Sequence, residues 1–319
     1  MLVLIAGGNG FIGTNLAIDL IREGHSVLAV DNFATSSTQN VETLQSAPNY
    51  ELLQLDITSA TFAIDLFSSK LLRQHKTIDQ IYNLACPASP PHYQALSLET
   101  IAVNTTGLIN LLEVARQNSA KFLQSSTSEI YGDPAVHPQP ESYWGNVNTL
   151  GPRSCYDEGK RLAETICFEY QRKFKLDIKL ARIFNTYGPY MDKADGRVVS
   201  NFINQALAGS PITIYGDGKQ TRSFQYISDL IAGFKLLMEK DIPFQPVNLG
   251  NPDEFTMSQL ATKIIQLTGS KSSISYLPLP QDDPKQRNPD ITRARKLLNW
   301  QPKVDLKAGL KLTIDYFSS

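Results

Sequence analysis

An apolar run, Leu2–Ala6, passes directly into Gly7, Gly10 and Gly13, and an amphipathic pattern over Phe11–Glu23 follows at once. A buried strand, a glycine turn and a helix, in that order, constrain this chain more than any other feature. Glycines allow the tight turn and let backbone N–H groups at the helix N-terminus approach a pyrophosphate. The G-x-x-G-x-x-G spacing differs by one residue from the usual G-x-G-x-x-G fingerprint, and glycine turns after strands are common. The position between strand and helix is what gives the motif its weight.

Further apolar runs at Ser26–Val30, Glu51–Leu55, Gln80–Leu84, Lys121–Gln124 and Ile178–Ile183 read as strands, with helices at Leu98–Gln117 and Tyr156–Lys173. Apolar strands alternating with helices predict an α/β fold: a doubly wound, Rossmann-type parallel sheet covered on both faces. After about Tyr187 the pattern changes. Gly188-Pro189, Gly216-Asp217-Gly218 and Gly250-Asn251-Pro252 signal turns, and amphipathic stretches follow at Ser228–Glu239, Ser258–Thr268 and Thr292–Leu298. The expected organisation is a dinucleotide-binding domain over residues 1–186 that carries the catalytic residues. A smaller lobe, mainly over 187–319 with some chain crossing back, closes the second side of a cleft. The polar segment Gln281–Pro289, QDDPKQRNP, reads as a solvated loop.

A net charge of −1 excludes a general attraction to nucleic acid or to anionic membrane, while leaving room for a local basic pocket. Cys86, Cys155 and Cys167 are widely spaced and lack CxxC pairing. They predict neither a disulfide framework nor a metal site, and they suit a reducing cytoplasm. The opening MLVLIAGGNGFIG is too short and too glycine-broken for a spanning helix, and it has no basic leader before it. No signal peptide or membrane anchor is expected.

Asp31 ends the second strand. A carboxylate there accepts hydrogen bonds from the adenosine ribose hydroxyls and repels a 2′-phosphate, which favours NAD over NADP. An Asp opening a turn with Asn32 is the plainer alternative. Asp56, after the third strand, suits either the adenine edge or a turn.

Tyr156 and Lys160 stand four residues apart on one predicted helix face. An ammonium beside a phenol favours the phenolate and lowers the tyrosine pKa. Such a tyrosine can take a hydroxyl proton while hydride leaves the same carbon for NAD. The fifth strand runs into Ser125-Ser126-Thr127-Ser128-Glu129, and strand C-terminal ends line the ligand crevice of open α/β sheets. Thr127 and Ser128 are expected to share a proton network with Tyr156, beside the Glu129 carboxylate. Capping and turn formation would explain the same hydroxyls without function.

The motifs GGNGFIG, STSEIYG, YDEGK and RIFNTYGP together resemble the extended short-chain dehydrogenases/reductases that modify nucleotide sugars. More narrowly, PASPPHY (87–93), YGDPAVHPQPESYWG (131–145), CYDEGKRLAE (155–164), DGRVVSNFI (195–203), QTRSFQYISDL (220–230) and RNPDI (287–291) resemble the UDP-glucuronate decarboxylases. The resemblance runs over nearly the whole chain. It implies C4 oxidation by a tightly bound, recycled NAD, loss of CO2 from the 4-keto acid, protonation at C5, and re-reduction to UDP-xylose.

On this resemblance Tyr156 is the base and Lys160 its electrostatic partner and a ribose ligand. Thr127 and Ser128 hydrogen-bond the sugar, and Glu129 acts on the ring. Arg287 binds the sugar end during carboxylate loss; without the resemblance it would pass for a solvated loop residue. Asn185, Arg197, Asn201, Tyr215, Gln220 and Arg222 are the implied UDP ligands, with Val198 beside them and Pro90, Pro91 and Tyr93 along the sugar pocket. Asn9, Phe11 and Ile12 are expected in the cofactor site beside Gly7, Gly10 and Gly13, and Asn32 beside Asp31. Ile57 is expected beside Asp56, with Leu84, Ala85 and Asn104 completing the set. The helices Leu98–Gln117 and Tyr156–Lys173 are expected to form a four-helix homodimer interface.

Tyr190 stands where arginine is common in such chains, and Asn148-Thr149-Leu150-Gly151 replaces a more usual Asn-Pro-Ile-Gly. The rivals are a sugar-nucleotide 4,6-dehydratase, a UDP-hexuronate 4-epimerase and, from another class, a non-catalytic NAD-binding scaffold or redox sensor. The dehydratase needs an acid where Ser128 stands. The epimerase needs neither Glu129 nor Arg287. An intact Tyr156/Lys160 pair argues against a degenerate scaffold.

Overall fold

All five residues of the first strand, Leu2–Ala6 (β1), are fully buried, because alternate side chains point to opposite faces and both faces are covered. Val3 and Ile5 enter one core with Leu16, Ala17 and Leu20 of the Phe11–Arg22 helix and with Leu230 and Phe234 of the Ile227–Glu239 helix. Leu2, Leu4 and Ala6 enter the other, with Leu108, Leu111, Leu112, Ala163 and Cys167. Each buried Val, Leu, Ile or Phe among them stabilises the fold by roughly 1.5–3 kcal/mol. The computed structural model describes residues 1–36, 39–279 and 286–318.

Ser26–Asp31 (β2), Tyr50–Gln54 (β3), Gln80–Asn83 (β4), Lys121–Thr127 (β5) and Ile178–Ile183 (β6) continue the sheet. A seventh strand, Pro246–Leu249, pairs in parallel with β6, and the spatial order is Pro246–Leu249, β6, β5, β4, β1, β2, β3. Every pairing is parallel. The sheet is therefore the Rossmann-type one expected, and the order reverses between β1 and β4, where such sheets open a ligand crevice.

Several expected boundaries shift. The third strand begins and ends one residue earlier than Glu51–Leu55, and β5 continues through Thr127. The Leu98–Gln117 helix is not regular: Ser97–Ala102 and Leu108–Asn118 are α-helical around a π-helical stretch, Val103–Gly107. Within that stretch the Asn104 amide donates to Thr100 O at 2.8 Å and to Cys86 Sγ at 3.2 Å. Gly107 lies so close to Ile57 that a Cβ there would come within 2.7 Å of its side chain. Apolar periodicity does not register one inserted residue.

Beyond β6 a second lobe forms from the Val198–Leu207 helix and from short strands. Ile212–Tyr215 pairs with Ile274–Leu277, and Thr221–Ser223 lies between Glu254–Thr256 and Gln286–Arg287. The expected solvated loop Gln281–Pro289 requires correction. Residues 281–285 lie outside the described residues, but Arg287 and Asn288 are buried. Arg287 sits on a strand beside Arg222, and Asn288 exchanges 2.8 Å hydrogen bonds with Gln139. A terminal helix, Leu306–Ser318, closes the lobe against Val198–Leu207. Among the described residues no helix is long and apolar enough to cross a membrane.

Candidate active site

The C-terminal ends of β4, β5 and β6 and the second lobe enclose a cleft of about 610 Å³. Ser125–Glu129 form its floor, Tyr156 and Lys160 one wall, and Asn185, Arg197 and Arg222 the opposite side. Of the residues the sequence singled out, Ile12, Leu84, Pro90, Pro91, Tyr93, Val198, Asn201, Tyr215, Gln220 and Arg287 also line it. Of the remaining cofactor residues, Asp31, Asn32 and Asp56 lie at the ends of β2 and β3 and Ala85 beside Gly7, whereas Asn104 sits apart, against Cys86 and Gly159.

At that turn the glycines are required by space. A Cβ on Gly13 would stand 2.3 Å from Gly7 O, and one on Gly7 would stand 2.8 Å from Leu84 O and Ala85 N. Gly10 caps the Phe11–Arg22 helix without a side-chain hydrogen bond, so the turn offers backbone N–H groups and positive dipole to an anion. Asp31 is buried at the end of β2, where it accepts from Asn9 N at 3.0 Å and Phe33 N at 2.9 Å. Burial raises its carboxyl above the ordinary range, against the hydrogen bonds of Phe33, Ser36 and Asn9. Asn32 donates to Asp56 at 3.0 Å, and Asp56 also closes its own turn onto Thr58. A glycine cradle backed by a carboxylate and leading into the cleft fits NAD, and that carboxylate disfavours a 2′-phosphate.

Tyr156 is buried under Tyr93, whose ring stacks on it at 5.0 Å between centroids and 12° between planes. Its hydroxyl shares a side-chain hydrogen bond with Thr127. Lys160 donates to Ser125 O at 3.0 Å, with Nζ 5.8 Å from the centre of the Tyr156 ring. Against the expected lowering, the protein's own groups do not depress the tyrosine pKa. Burial raises Tyr156 above the usual phenol range, and the Thr127 hydrogen bond and Arg197 offset this only in part.

Glu129 lies between two guanidinium groups. Arg153 Nη2 is 2.6 Å from Oε2, and Arg287 Nη1 bonds Oε1 while its Nη2 donates to Gly132 O at 3.1 Å. Burial alone would raise this carboxyl, but Arg287 and Arg153 hold it down at about 2. Asp157, the residue after Tyr156 on its helix, behaves oppositely: burial and then the Glu129 charge push it up to about 7.

At the far end of the cleft Arg197 pairs with Asp195 at 3.1 Å, Asn201 donates to Gly196 O at 3.1 Å, and Gln220 bonds Tyr215 O. Arg222 and Arg287 face each other across paired strands. Tyr190, in place of an arginine, adopts φ +66° and packs its ring against Tyr316, centroids 5.1 Å apart and planes tilted by 55°. In the substituted loop Leu150 is almost fully exposed and its N–H bonds Asn148 Oδ1 at 3.1 Å.

A family described as GDP-mannose 4,6 dehydratase matches residues 4–313. UDP-glucuronic acid decarboxylase 1 of Xenopus tropicalis is 49% identical over 315 residues, which is 99% of this chain and 72% of that protein. The chain belongs to the UDP-glucuronic acid decarboxylase family. Solved structures of related folds are similar throughout. The UDP-glucose 4-epimerase of Thermotoga maritima, bound to UDP-glucose, superposes with a TM-score of 0.89 at 29% identity, over 100% of this chain and 99% of its own. The UDP-glucuronic acid 4-epimerase of Bacillus cereus, solved with UDP-glucuronic acid and NAD, gives 0.86 at 27% identity, over 100% and 99%.

In this member of the UDP-glucuronic acid decarboxylase family, residue-level reasoning missed Arg153, Asp157 and Cys86. Arg153 precedes Tyr156 by three positions at the start of the same helix, a spacing that could have shown it beside the cleft. Cys86 lines the cleft at the end of β4, and nothing in its spacing marks it. The sequence also gave no sign of the polar network behind the floor. Arg182 makes two bonds to Glu164, at 2.9 and 2.8 Å, and one to Tyr131 at 3.0 Å, while Ser126 donates to Glu164 at 2.5 Å. This network pins the end of β5, and hence Thr127 and Ser128, to the sheet.

Proposed function

We propose that this chain decarboxylates UDP-glucuronate to UDP-xylose with an NAD that stays bound. The observation that carries the reading is Glu129 held between Arg153 and Arg287 in the cleft that Tyr156 also lines. Two guanidiniums and one fixed carboxylate at this end of the cleft suit a sugar that brings its own carboxylate.

Gly7, Gly10, Gly13, Asp31 and Lys160 hold the cofactor in this reading, within an N-terminal unit of residues 1–186. When bound, NAD supplies the two-electron acceptor and donor for C4. Tyr156 takes the C4 hydroxyl proton and Thr127 relays it. Ser128 orients the sugar, and Arg222 pairs with the pyrophosphate. Arg287 turns from Glu129 to the sugar carboxylate. As CO2 leaves, the electrons of the C5–C6 bond pass to the C4 ketone, and the resulting enolate takes a proton at C5. An arginine-clamped Glu129 is a base and not an acid at neutral pH, so it handles that proton only after Arg287 has moved away.

Two copies pair through the Ser97–Ala102 and Ser154–Phe174 helices, a reading supported by the exposed Leu98, Ile101, Leu162 and Phe168. Free Cys86, Cys155 and Cys167 suit a cytoplasmic location.

The test is to incubate the purified protein with UDP-glucuronate, without added NAD, and to follow the nucleotide by mass spectrometry and proton NMR. Loss of one CO2 with a pentose spectrum supports the reading. Unchanged mass with inverted C4 identifies an epimerase instead. No change, even with NAD supplied, overturns it.

A further inference from the structure

The buried carboxylate nearest to Tyr156 in sequence has no role in the mechanism above. Asp157 lies in the first turn of the Ser154–Phe174 helix, is 6% exposed, and has an Oδ1 that is fully buried with no hydrogen-bond partner among the described residues. An ionised oxygen in that position lacks both water and a donor, so the neutral acid is the cheaper form.

The charged groups that act on it come from its own helix and from two neighbouring elements. They are Glu129 from the turn after β5, Arg153 and Glu158 from its own helix, and Arg287 from the Gln286–Arg287 strand. Tyr93, on the Pro90–Ala95 helix, feels it as well. Two guanidiniums and the Glu129 carboxylate sum to +1. An ionised Asp157 cancels that charge, and a protonated one leaves it for an incoming anion.

We propose that Asp157 is a positioning residue that sets the charge of the Glu129–Arg153–Arg287 cluster, remaining uncharged when a carboxylate-bearing sugar nucleotide enters. The proposal rests on the reading that a hexuronate occupies the cleft. A ligand carboxylate opposes a negative charge at Asp157, and by linkage binding draws a proton onto it from solution. The transfer breaks one O–H bond in the buffer acid and forms one at Asp157, with no redox change. A nucleotide sugar without a carboxylate exerts no such pull.

Binding is measured calorimetrically in a Tyr156→Phe background, which prevents turnover, with UDP-glucuronate and with UDP-xylose between pH 6 and 8.5. UDP-glucuronate affinity relative to UDP-xylose should fall about tenfold across that range, the limit for a single titrating group being tenfold per pH unit. Asp157→Asn, permanently neutral, should flatten the fall. An equal fall with and without Asp157→Asn overturns the proposal. Should that variant not fold, the unsubstituted Asp157 is tested in buffers of different ionisation enthalpy at pH 8. Uptake approaching one proton on UDP-glucuronate binding and none on UDP-xylose binding supports the proposal, and equal uptake overturns it. Absence of UDP-glucuronate binding at every pH, with no decarboxylation by the parent chain, overturns the functional reading and this proposal together. Binding without differential proton uptake overturns the proposal alone.

Discussion

Tyr93 and Tyr156 lie ring on ring, their planes 12° apart and their centroids separated by 5.0 Å. The Tyr93 hydroxyl is buried and lacks a hydrogen-bond partner among the described residues. Leaving such a donor unmet costs about 1–3 kcal/mol. Tyr93→Phe should therefore leave the free protein as stable or about 1 kcal/mol more stable in urea denaturation, while KM for UDP-glucuronate rises about fivefold as a ligand contact is lost. Equal KM in both proteins would limit Tyr93 to stacking.

Tyr156→Phe removes the base and keeps the ring stack. Turnover should fall by at least about a thousandfold, since proton transfer and its coupled step are both lost. Binding of UDP, read by calorimetry, should hold. Because burial raises Tyr156, the parent rate should climb as pH rises from 6 to 9, and a flat profile would argue against it as the base.

The arginine clamp has a pH signature. Glu129 is lowered from 4.5 to about 2, so its folded pKa is depressed. The stability it contributes is present above 4.5 and disappears as pH falls through about 2. Glu129→Gln should cost on the order of 3 kcal/mol at pH 7, where buried Arg287 and half-buried Arg153 lose their counter-charge. That difference from the parent should shrink on acidification below pH 4.5. Chemical denaturation at several pH values measures it.

Arg287→Ala should slow carboxylate loss more than C4 oxidation, so reduced cofactor accumulates during turnover and is seen by its absorbance. Removing a buried partner of Glu129 also destabilises by about 3–5 kcal/mol, so Arg287→Lys serves as the milder variant. Unchanged absorbance together with unchanged CO2 release would rule out the assignment.

Gly13→Ala forces a methyl group to 2.3 Å from Gly7 O. The cradle must open, and NAD carried through purification should drop at least about tenfold, a loss of about 1.4 kcal/mol or more. Cofactor content after acid extraction reads this directly.

Local physics made part of this site readable in advance. Tyr156 and Lys160 share a helix face at a spacing of four, and the glycine turn needs only neighbours in sequence to be recognised. The clamp was different. Glu129 and Arg287 are separated by 158 positions, and a polar stretch between prolines looks solvated until a strand at Thr221–Ser223 draws it inward. The π-helical stretch at Val103–Gly107 was hidden for a different reason: with Val103 its one apolar side chain, it carries no periodicity to read, so only hydrogen bonding reveals it. Asp157 was hidden because a carboxylate in a helical first turn ordinarily needs no explanation beyond the helix dipole.

The strand Pro246–Leu249 has a consequence for how this protein is made. It covers the free edge of β6, yet it leaves the ribosome after the other six strands have emerged. Until then a nascent chain presents an apolar edge, Ile178–Ile183, with unpaired backbone groups, the template on which unfolded neighbours aggregate. A gene cut after residue 186 would freeze the chain at that stage, and its product should collect in inclusion bodies even though its glycine turn and catalytic helix are intact.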